Sequence, residues 1–358
     1  MAGKRKEGRD YHMPKRVIMH VDMDAFFAAI EEKRHQEYRG KPLVVGGAGD
    51  PTRRGVVSTA NYEARKYGVQ SGMPLRTALE KCPDCIFLPV DFETYVDVSE
   101  RFHSIIRAFS PLVESWGLDE AFLDVSKDEK APEGIGQEIK RRIRDELGLT
   151  CSIGIAPNKL LAKMASGLDK PDGLTVLRRK DVEKVLGPLP VSRLLWVGPK
   201  TTARLAEIGV GTIADLRAVP LEKLQETFGP SWGESLYYTA RGVDESPLTT
   251  SWEPKSMSHE VTFETDTSDI DVVRSTLARF ARYLSRELKE SRYVARTVTV
   301  KVRLKPFSTH THQRTLEASI ASSKEILAEA LSLLEETELD RPVRLVGLRV
   351  SNLEKTRE

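Results

Sequence analysis

Apolar residues along the chain recur with two periods. Val17-Ile18-Met19-His20-Val21 is a near-continuous apolar run of strand length, as in a strand covered on both faces. A helix is predicted over 25–35, short strands over 43–45 and 55–59, and helices over 62–67 and 74–81. A strand over 86–89 precedes a long helix over 94–109. Strands over 113–118 and 121–125 flank Asp119-Glu120. A helix over 136–147, a strand over 151–155 and a helix over 158–168 complete an α+β core reaching about residue 180. Residues 181–241 predict helices separated by Gly and Pro, with no strand. Two stretches there, Leu195-Trp196-Val197-Gly198-Pro199-Lys200 and Phe228-Gly229-Pro230-Ser231, read as similar tight turns. Residues 242–257, with Pro247 and Pro254, read as a linker. From 258 the order is strand, helix (270–290), strands (296–304 and 311–317), helix (323–335) and strand (343–350), a separate small α+β domain. Thr297 to Leu304 alternates with period two, as a half-exposed strand should.

Composition narrows the class. The chain has 358 residues with 40% hydrophobic and 30% charged, enough apolar material for true cores and incompatible with a wholly disordered chain. No run of about 18 apolar residues is present, so no membrane span is expected. The start of the chain lacks an apolar signal core. Cys82, Cys85 and Cys151 are too few for a disulfide framework, which points to a reducing, cytoplasmic setting. Cys82-Pro83-Asp84-Cys85 is a lone CxxC without the further ligands zinc needs, and reads as incidental. Residues 1–16 are basic and read as a flexible head. The net charge of +2 does not by itself announce a nucleic-acid partner.

The candidate chemistry lies in two acidic clusters. In Val21-Asp22-Met23-Asp24-Ala25 a strand ends in two acids and turns directly into a helix. Asp24 reads as the helix N-cap. Asp22 directly follows a buried strand, where an unpaired carboxylate is costly. Asp119-Glu120 is either a hairpin tip or a cation site, because adjacent carboxylates ionise cheaply only around a cation. Oxygen-only ligands favour Mg²⁺ over zinc, and three acids from two strand ends suit a two-metal phosphoryl-transfer site.

Four motifs then resemble one family. They are His20-Val21-Asp22-Met23-Asp24-Ala25-Phe26-Phe27-Ala28, Thr59-Ala60-Asn61-Tyr62-Glu63-Ala64-Arg65, Leu118-Asp119-Glu120-Ala121-Phe122-Leu123-Asp124 and Asp169-Lys170-Pro171-Asp172-Gly173. Together, in this order, they resemble the Y-family lesion-bypass DNA polymerases, on the DNA polymerase IV or kappa-like branch, over about residues 15–350. Gly117 departs from the Ser frequent at that position and leaves the acids intact.

The resemblance implies a multidomain α+β right hand. A ferredoxin-like palm spans 17–24 and 79–180, with small fingers over 25–78. A helical thumb with a helix-hairpin-helix spans 181–241, an α+β little finger spans 258–352, and a tail covers 353–358. It implies low-fidelity translesion DNA synthesis in DNA repair, without proofreading. Asp22, Asp119 and Glu120 would bind two Mg²⁺ ions, with Mn²⁺ as a substitute and the Met23 carbonyl assisting. Tyr62, Arg65 and Lys170 would hold the triphosphate of a dNTP, with Thr59 nearby. Phe27 would be the steric gate against a 2′-hydroxyl, while Phe26 reads as core. Val56 and Ser58, both small, would roof the nascent base pair and leave room for a damaged template.

Primer–template DNA is the implied partner. Gly198 and Lys200 lie in the turn that resembles a helix-hairpin-helix, whose backbone N–H groups can face a phosphate. Residues 292–314 hold six Lys and Arg and no acid, and Lys301 and Arg303 share one strand face suited to a DNA backbone. Lys159 and Lys163, four apart on one helix, read on their own as a solvated face, and beside a nucleotide as added positive potential. A monomer is expected. The family's sliding-clamp peptide, with a Gln and paired aromatics, is not seen in 351–358, so clamp binding is in doubt or the chain is truncated. A nucleotidyl cyclase also sets paired acids on an α+β sheet but needs neither the hairpin turn nor the basic last domain. A DNA-binding scaffold without metal is the non-enzymatic alternative.

Overall fold

The computed structural model describes residues 16–356 and divides into two compact units, with the boundary between Ser251 and Trp252. The expected flexible head at 1–16 lies outside the described residues, apart from Arg16.

The strands of the first unit are β1 (Ile18–Met23), β2 (Leu43–Gly46), β3 (Val57–Ala60), β4 (Ile86–Leu88), β5 (Val113–Ser115), β6 (Glu120–Asp124), β7 (Cys151–Ala156) and β8 (Leu174–Val176). They form one sheet of order β5-β6-β1-β7-β8 and a smaller one of order β3-β2-β4. In the larger sheet β1 is central and antiparallel to both neighbours, and β8 runs parallel to β7. The strand β8 escaped the sequence reading because Leu174-Thr175-Val176 is too short to show a period.

The central sheet is covered on both faces. Helices Phe92–Arg107 and Pro132–Leu147 bury Tyr95, Phe102, Ile139 and Ile143 against Met19, Val21 and Leu123. The second helix runs further than its apolar pattern, from a Pro in its first turn to Gly148, which takes the left-handed conformation at φ 66°. Helix Lys159–Ser166 lies on the other face, with Leu161, Ala162 and Ala165 packed near Ile18 and Phe122. It approaches β7 so closely that a Cβ on Gly154 would sit 2.0 Å from the Ala162 carbonyl, so only glycine fits. The helical segment 182–240 extends this second core.

The small sheet packs Val44, Val57 and Ala60 under helices Tyr62–Lys66 and Leu75–Lys81. Cys82 and Cys85 are free and buried in this core, and Cys151 is free and buried in β7.

The second unit holds β9 (Ser256–Thr267), β10 (Tyr293–Leu304), β11 (Ser308–Ile320) and β12 (Val343–Lys355), in the order β11-β10-β12-β9 and antiparallel throughout. Helices Ile270–Glu290 and Ser323–Glu335 cover one face, burying Leu277, Leu284 and Ile326 against Val298, Val300 and Val302. Two expected boundaries move. Ser256 and Met257 belong to β9 rather than to the linker, and 353–355 belong to β12 rather than to a tail. In both places backbone pairing with a neighbouring strand orders residues whose side chains carry little pattern.

Candidate active site

Strand alternation builds the site. In β1, Met19, Val21 and Met23 enter the helix-covered core, so Ile18, His20 and Asp22 point the other way. In β6, Ala121 and Leu123 enter that core, and Glu120 and Phe122 take the opposite face. The antiparallel register sets Asp22 across from Glu120 and His20 across from Phe122. Two carboxylates therefore stand side by side on one face. Asp119 joins them in the turn before β6, anchored by the Met23 amide, which donates to the Asp119 carbonyl at 2.8 Å. Asp22 and Glu120 are thus brought together, and Asp119 lies close enough for both charges to act on its carboxyl.

The electrostatics are those of a site short of positive charge. Burial, then the charges of Asp22 and Glu120, push the Asp119 carboxyl up to about 6. Burial also opposes ionisation of Glu120, but His20 and Lys163 outweigh it and hold Glu120 at about 2. Lys163 is ion-paired with Glu120, and Lys170 with Asp22. The Nε2 of buried His20 lies 3.0 Å from Glu120, without the alignment of a full hydrogen bond, while its Nδ1 pairs with Ser166 at 2.8 Å. One ligand atom each from His20, Asp22 and Glu120 fall within 4.8 Å of one another. Two ammonium groups resting on the acids mark where cations are favoured. Carboxylate oxygens with Asp119 alongside fit a hard divalent ion.

Asp24 does not cap the helix. Helix Phe26–Arg34 follows Ala25 at φ 45°, with no side-chain cap. Asp24 is instead buried. It accepts from Ser152 at 2.8 Å, Thr150 at 2.9 Å and the Asp172 amide at 2.8 Å. Its Oδ1 also accepts from the Tyr62 hydroxyl at 3.3 Å and lies 3.9 Å from the Lys170 ammonium. One buried carboxylate therefore gathers Tyr62 and Lys170. Arg65 lies over the Tyr62 ring at 4.8 Å, and its Nε donates to the Ala60 carbonyl at 2.9 Å. Burial, then the Asp24 charge, push the Tyr62 hydroxyl well above its ordinary pKa, so it stays a donor.

The remaining nucleotide candidates lie nearby in sequence but are held separately. Phe27 stacks on Tyr95 with centroids 4.2 Å apart and planes at 13°, while Phe26 is core. Thr59 is half-buried on β3. Val57 is in the core of the small sheet, so Val56 and Ser58 face outward, Val56 being 52% exposed. A cavity of about 390 Å³ beside the acids is lined by Asp22, Lys163, Lys170 and Arg193 among others. Arg193 was not legible in the sequence, since a lone Arg between Ser and Leu carries no pattern.

Lys140 is the other residue the sequence hides. It is buried and donates to the carbonyls of Cys151 and Gly173 at 3.1 Å each, and to that of Asp172. It also pairs with the Asp172 carboxylate at 2.8 Å. It thereby fixes the loop that carries Lys170.

The Gly-Pro turn is built without a left-handed glycine. Gly198 is extended, with φ −87° and ψ 179°, and a Cβ there would meet nothing within 4 Å. The left-handed position is taken by Trp196, at φ 70°. Gly198 and Lys200 are exposed at the start of helix Pro199–Ala206, which has Pro at its N-terminus.

In the second unit the sheet face away from the helices carries Lys301, Arg303 and, across the ladder, Arg349. Lys301 is ion-paired with Glu260 at 2.8 Å, and Arg303 donates to Thr309 at 2.9 Å. Arg314 pairs in register with Val298, so it lies on the helix side, tied to Glu329 and Glu336. The basic run of the sequence is therefore divided between two faces.

An acidic palm-like sheet, a helical Gly-Pro segment and a terminal sheet with a basic face define a nucleic-acid polymerase. The chain matches the impB/mucB/samB family over residues 21–167 and that family's C-terminal domain over residues 254–358. It also matches the DNA polymerase-iota thumb domain over residues 195–244. The chain belongs to the Y-family DNA polymerases. It is 42% identical to a DNA polymerase IV of Methanoculleus marisnigri, over 95% of each chain. It is also 42% identical to a DNA polymerase IV of Alkalilimnicola ehrlichii, over 95% of this chain and 96% of that one. A DNA polymerase IV 2 of Mycobacterium tuberculosis is 42% identical over 94% of this chain and 97% of its own. Among solved structures, a Y-family DNA polymerase chimera Dbh-Dpo4(243-245)-Dbh superposes with a TM-score of 0.85 at 28% identity, covering 95% of this chain and all of that one. The helical segment after the catalytic sheet is the thumb with its helix-hairpin-helix, and the second unit is the little finger. No helix of the described residues is long and apolar enough to cross a membrane.

Proposed function

We propose that this DNA-directed DNA polymerase extends a primer 3′-hydroxyl with dNTPs on a DNA template, releasing pyrophosphate, and continues past damaged template bases at low fidelity. The reading is carried by the register that sets Asp22 beside Glu120 with Asp119 in the adjoining turn. We assign two Mg²⁺ ions, replaceable by Mn²⁺, to Asp22, Asp119 and Glu120, with the Met23 carbonyl assisting. When bound, the ions supply charge that stabilises both the attacking and the leaving oxygens.

The chain's own groups do the rest. Tyr62 and Lys170 meet at Asp24, Arg65 lies over the Tyr62 ring, and the three suit the β- and γ-phosphates, with Thr59 nearby. Phe27, braced on Tyr95, is the steric gate beneath the sugar. Val56 and Ser58 face outward as a low roof over the base pair, which supports tolerance of damaged templates. The palm takes 17–24 and 79–180, and the fingers take 25–78. The thumb takes 181–241 and the little finger 256–355. Gly198 and Lys200 in the thumb, with Lys301 and Arg303 in the little finger, hold DNA backbone. The enzyme works as a monomer, without proofreading, in the reducing cytoplasm that its free cysteines suit. Running-start extension over a template with a single defined lesion tests the bypass claim. Full-length product past the lesion supports it. Arrest one base before every lesion of a broad panel rejects it.

A further inference from the structure

A cavity of about 570 Å³ opens between the hairpin that carries Asp119 and the thumb, where Leu195, Trp196 and helix Pro230–Ala240 line it. Trp116 and Trp196 line it, edge to face, with centroids 5.8 Å apart and planes at 83°. Phe122 continues the wall, 5.3 Å from Trp116. Trp196 is 66% exposed and is held at φ 70°, a region that bulky side chains rarely enter. Neither its exposure nor its backbone favours a tryptophan for stability, and strain of this kind clusters at binding sites.

We propose that this cavity receives a single unpaired nucleobase from the primer's 3′ end, stacked on Trp196. The proposal rests on the polymerase reading above. The Trp116 amide donates to the Glu120 carbonyl at 2.9 Å, closing the turn that presents Asp119. Lys163, ion-paired with Glu120, lies 5.0 Å over the Trp116 ring. The cavity and the catalytic acids therefore share a wall. The opposite wall is the thumb, where Trp196 lies two residues before Gly198 of the Gly-Pro turn. On the polymerase reading, a primer whose 3′ end is at the acids and whose backbone rests on Gly198 and Lys200 passes beside Trp196.

The lining selects a base over a phosphate. Glu234, Asp244 and Glu245 line the cavity against one cation, Lys159, which is itself paired with Glu114 at 2.9 Å; carboxylates repel a phosphodiester but accept hydrogen bonds from the N–H groups of a base. Its volume lies in the range of small-molecule sites. A base inside the duplex cannot reach the indoles, so only a mispaired or frayed terminus can. Parking that base withdraws the 3′-hydroxyl from the acids, and extension of a mispaired end pauses.

The test uses the full chain and a primer ending in 2-aminopurine, either paired with thymine or mispaired with guanine. Stacking on an indole quenches this base. Trp196→Gly removes the ring and suits the positive φ, so the fold is retained. Trp196→Phe keeps a stacking surface. With the mispaired end, Trp196→Gly should emit about fivefold more than wild type, whereas Trp196→Phe, which keeps a stacking surface but no indole, should quench less than wild type yet bind the mispaired primer with near wild-type affinity. Affinity for the mispaired primer should fall about fivefold in Trp196→Gly, the low end of base–aromatic stacking. Equal emission from the mispaired end in wild type and Trp196→Gly overturns the inference. Failure of the wild type to extend the paired primer would instead overturn the polymerase reading.

Discussion

Replacing Lys140 by Met probes how the loop carrying Lys170 is held. The ammonium is buried and serves three backbone carbonyls, of Cys151, Asp172 and Gly173. Met fills a similar length but donates nothing. The Gly173 carbonyl keeps the Ile153 amide at 3.0 Å, and the Asp172 carboxylate keeps Arg144, so neither is left bare. The Asp172 carboxylate is 38% exposed, so its lost ion pair adds little. The remaining loss is one to two buried carbonyls left unpaired, at about 1–3 kcal/mol each. A destabilisation of about 3 kcal/mol follows, or roughly 6–12 °C in melting temperature for a body of this size. Thermal unfolding by circular dichroism measures it. Steady-state kinetics below the transition add a readout that bare stability does not move. The KM for dNTP should rise more than kcat falls, because Lys170 loses its fixed position. A melting temperature within 2 °C of wild type, together with an unchanged KM, would refute the reasoning.

Other outcomes follow from the same geometry. Phe27→Ala should cut discrimination between dNTP and ribonucleotide by roughly 10–100-fold in single-nucleotide incorporation, and an unchanged ratio would remove Phe27 as the gate. Lys301→Ala with Arg303→Ala should weaken DNA binding and lower the slope of log affinity against log salt by about 2, whereas a slope equal to wild type would take both residues off the backbone. Glu325 is held below its ordinary pKa of 4.5 by the Ser322 hydroxyl, then by the Ser322 amide, in a capping box. Its folded pKa is depressed, so its contribution is present above about pH 4.5 and is lost as pH falls through the folded value. Glu325→Gln should therefore lose less melting temperature than wild type on acidification below that pH. Thr212→Ala, which removes the capping-box hydroxyl from helix Ile213–Ala218, should cost about 1 kcal/mol in denaturant unfolding, and no loss would deny the cap a role.

Much of the fold is legible from period and punctuation. Helices Ile270–Glu290 and Ser323–Glu335 stand where the periodicity puts them, because long amphipathic segments carry their own signal. Short pieces do not. The strand β8 and the extensions of β9 and β12 are set by pairing with distant strands. The acids were legible because carboxylates beside apolar strand ends are rare, and period two places Asp22 and His20 on one face. The role of Asp24 was not. Its partners Thr150, Ser152 and Asp172 lie more than a hundred residues away, and no local rule distinguishes such a carboxylate from a helix cap. The same holds for Lys140, which reads as one more cation in a charged helix until the loop at 172–173 closes over it. Nothing in the sequence of the Gly-Pro turn marks Trp196 as the residue with positive φ, and a bulky residue held there points to a binding surface.

The central claim is that the Asp22–Glu120 pair and Asp119 are the metal-dependent catalytic centre. Single-nucleotide extension of a primed template with Mg²⁺, comparing wild type with Asp119→Ala, tests it directly. The burial and neighbouring charges that raise the Asp119 carboxyl mean the variant should fold at least as stably as wild type. The account predicts extension by the wild type and a loss of about a hundred- to a thousandfold in Asp119→Ala, on the scale of losing a principal electrostatic stabiliser. A folded Asp119→Ala that extends the primer as fast as wild type would contradict it.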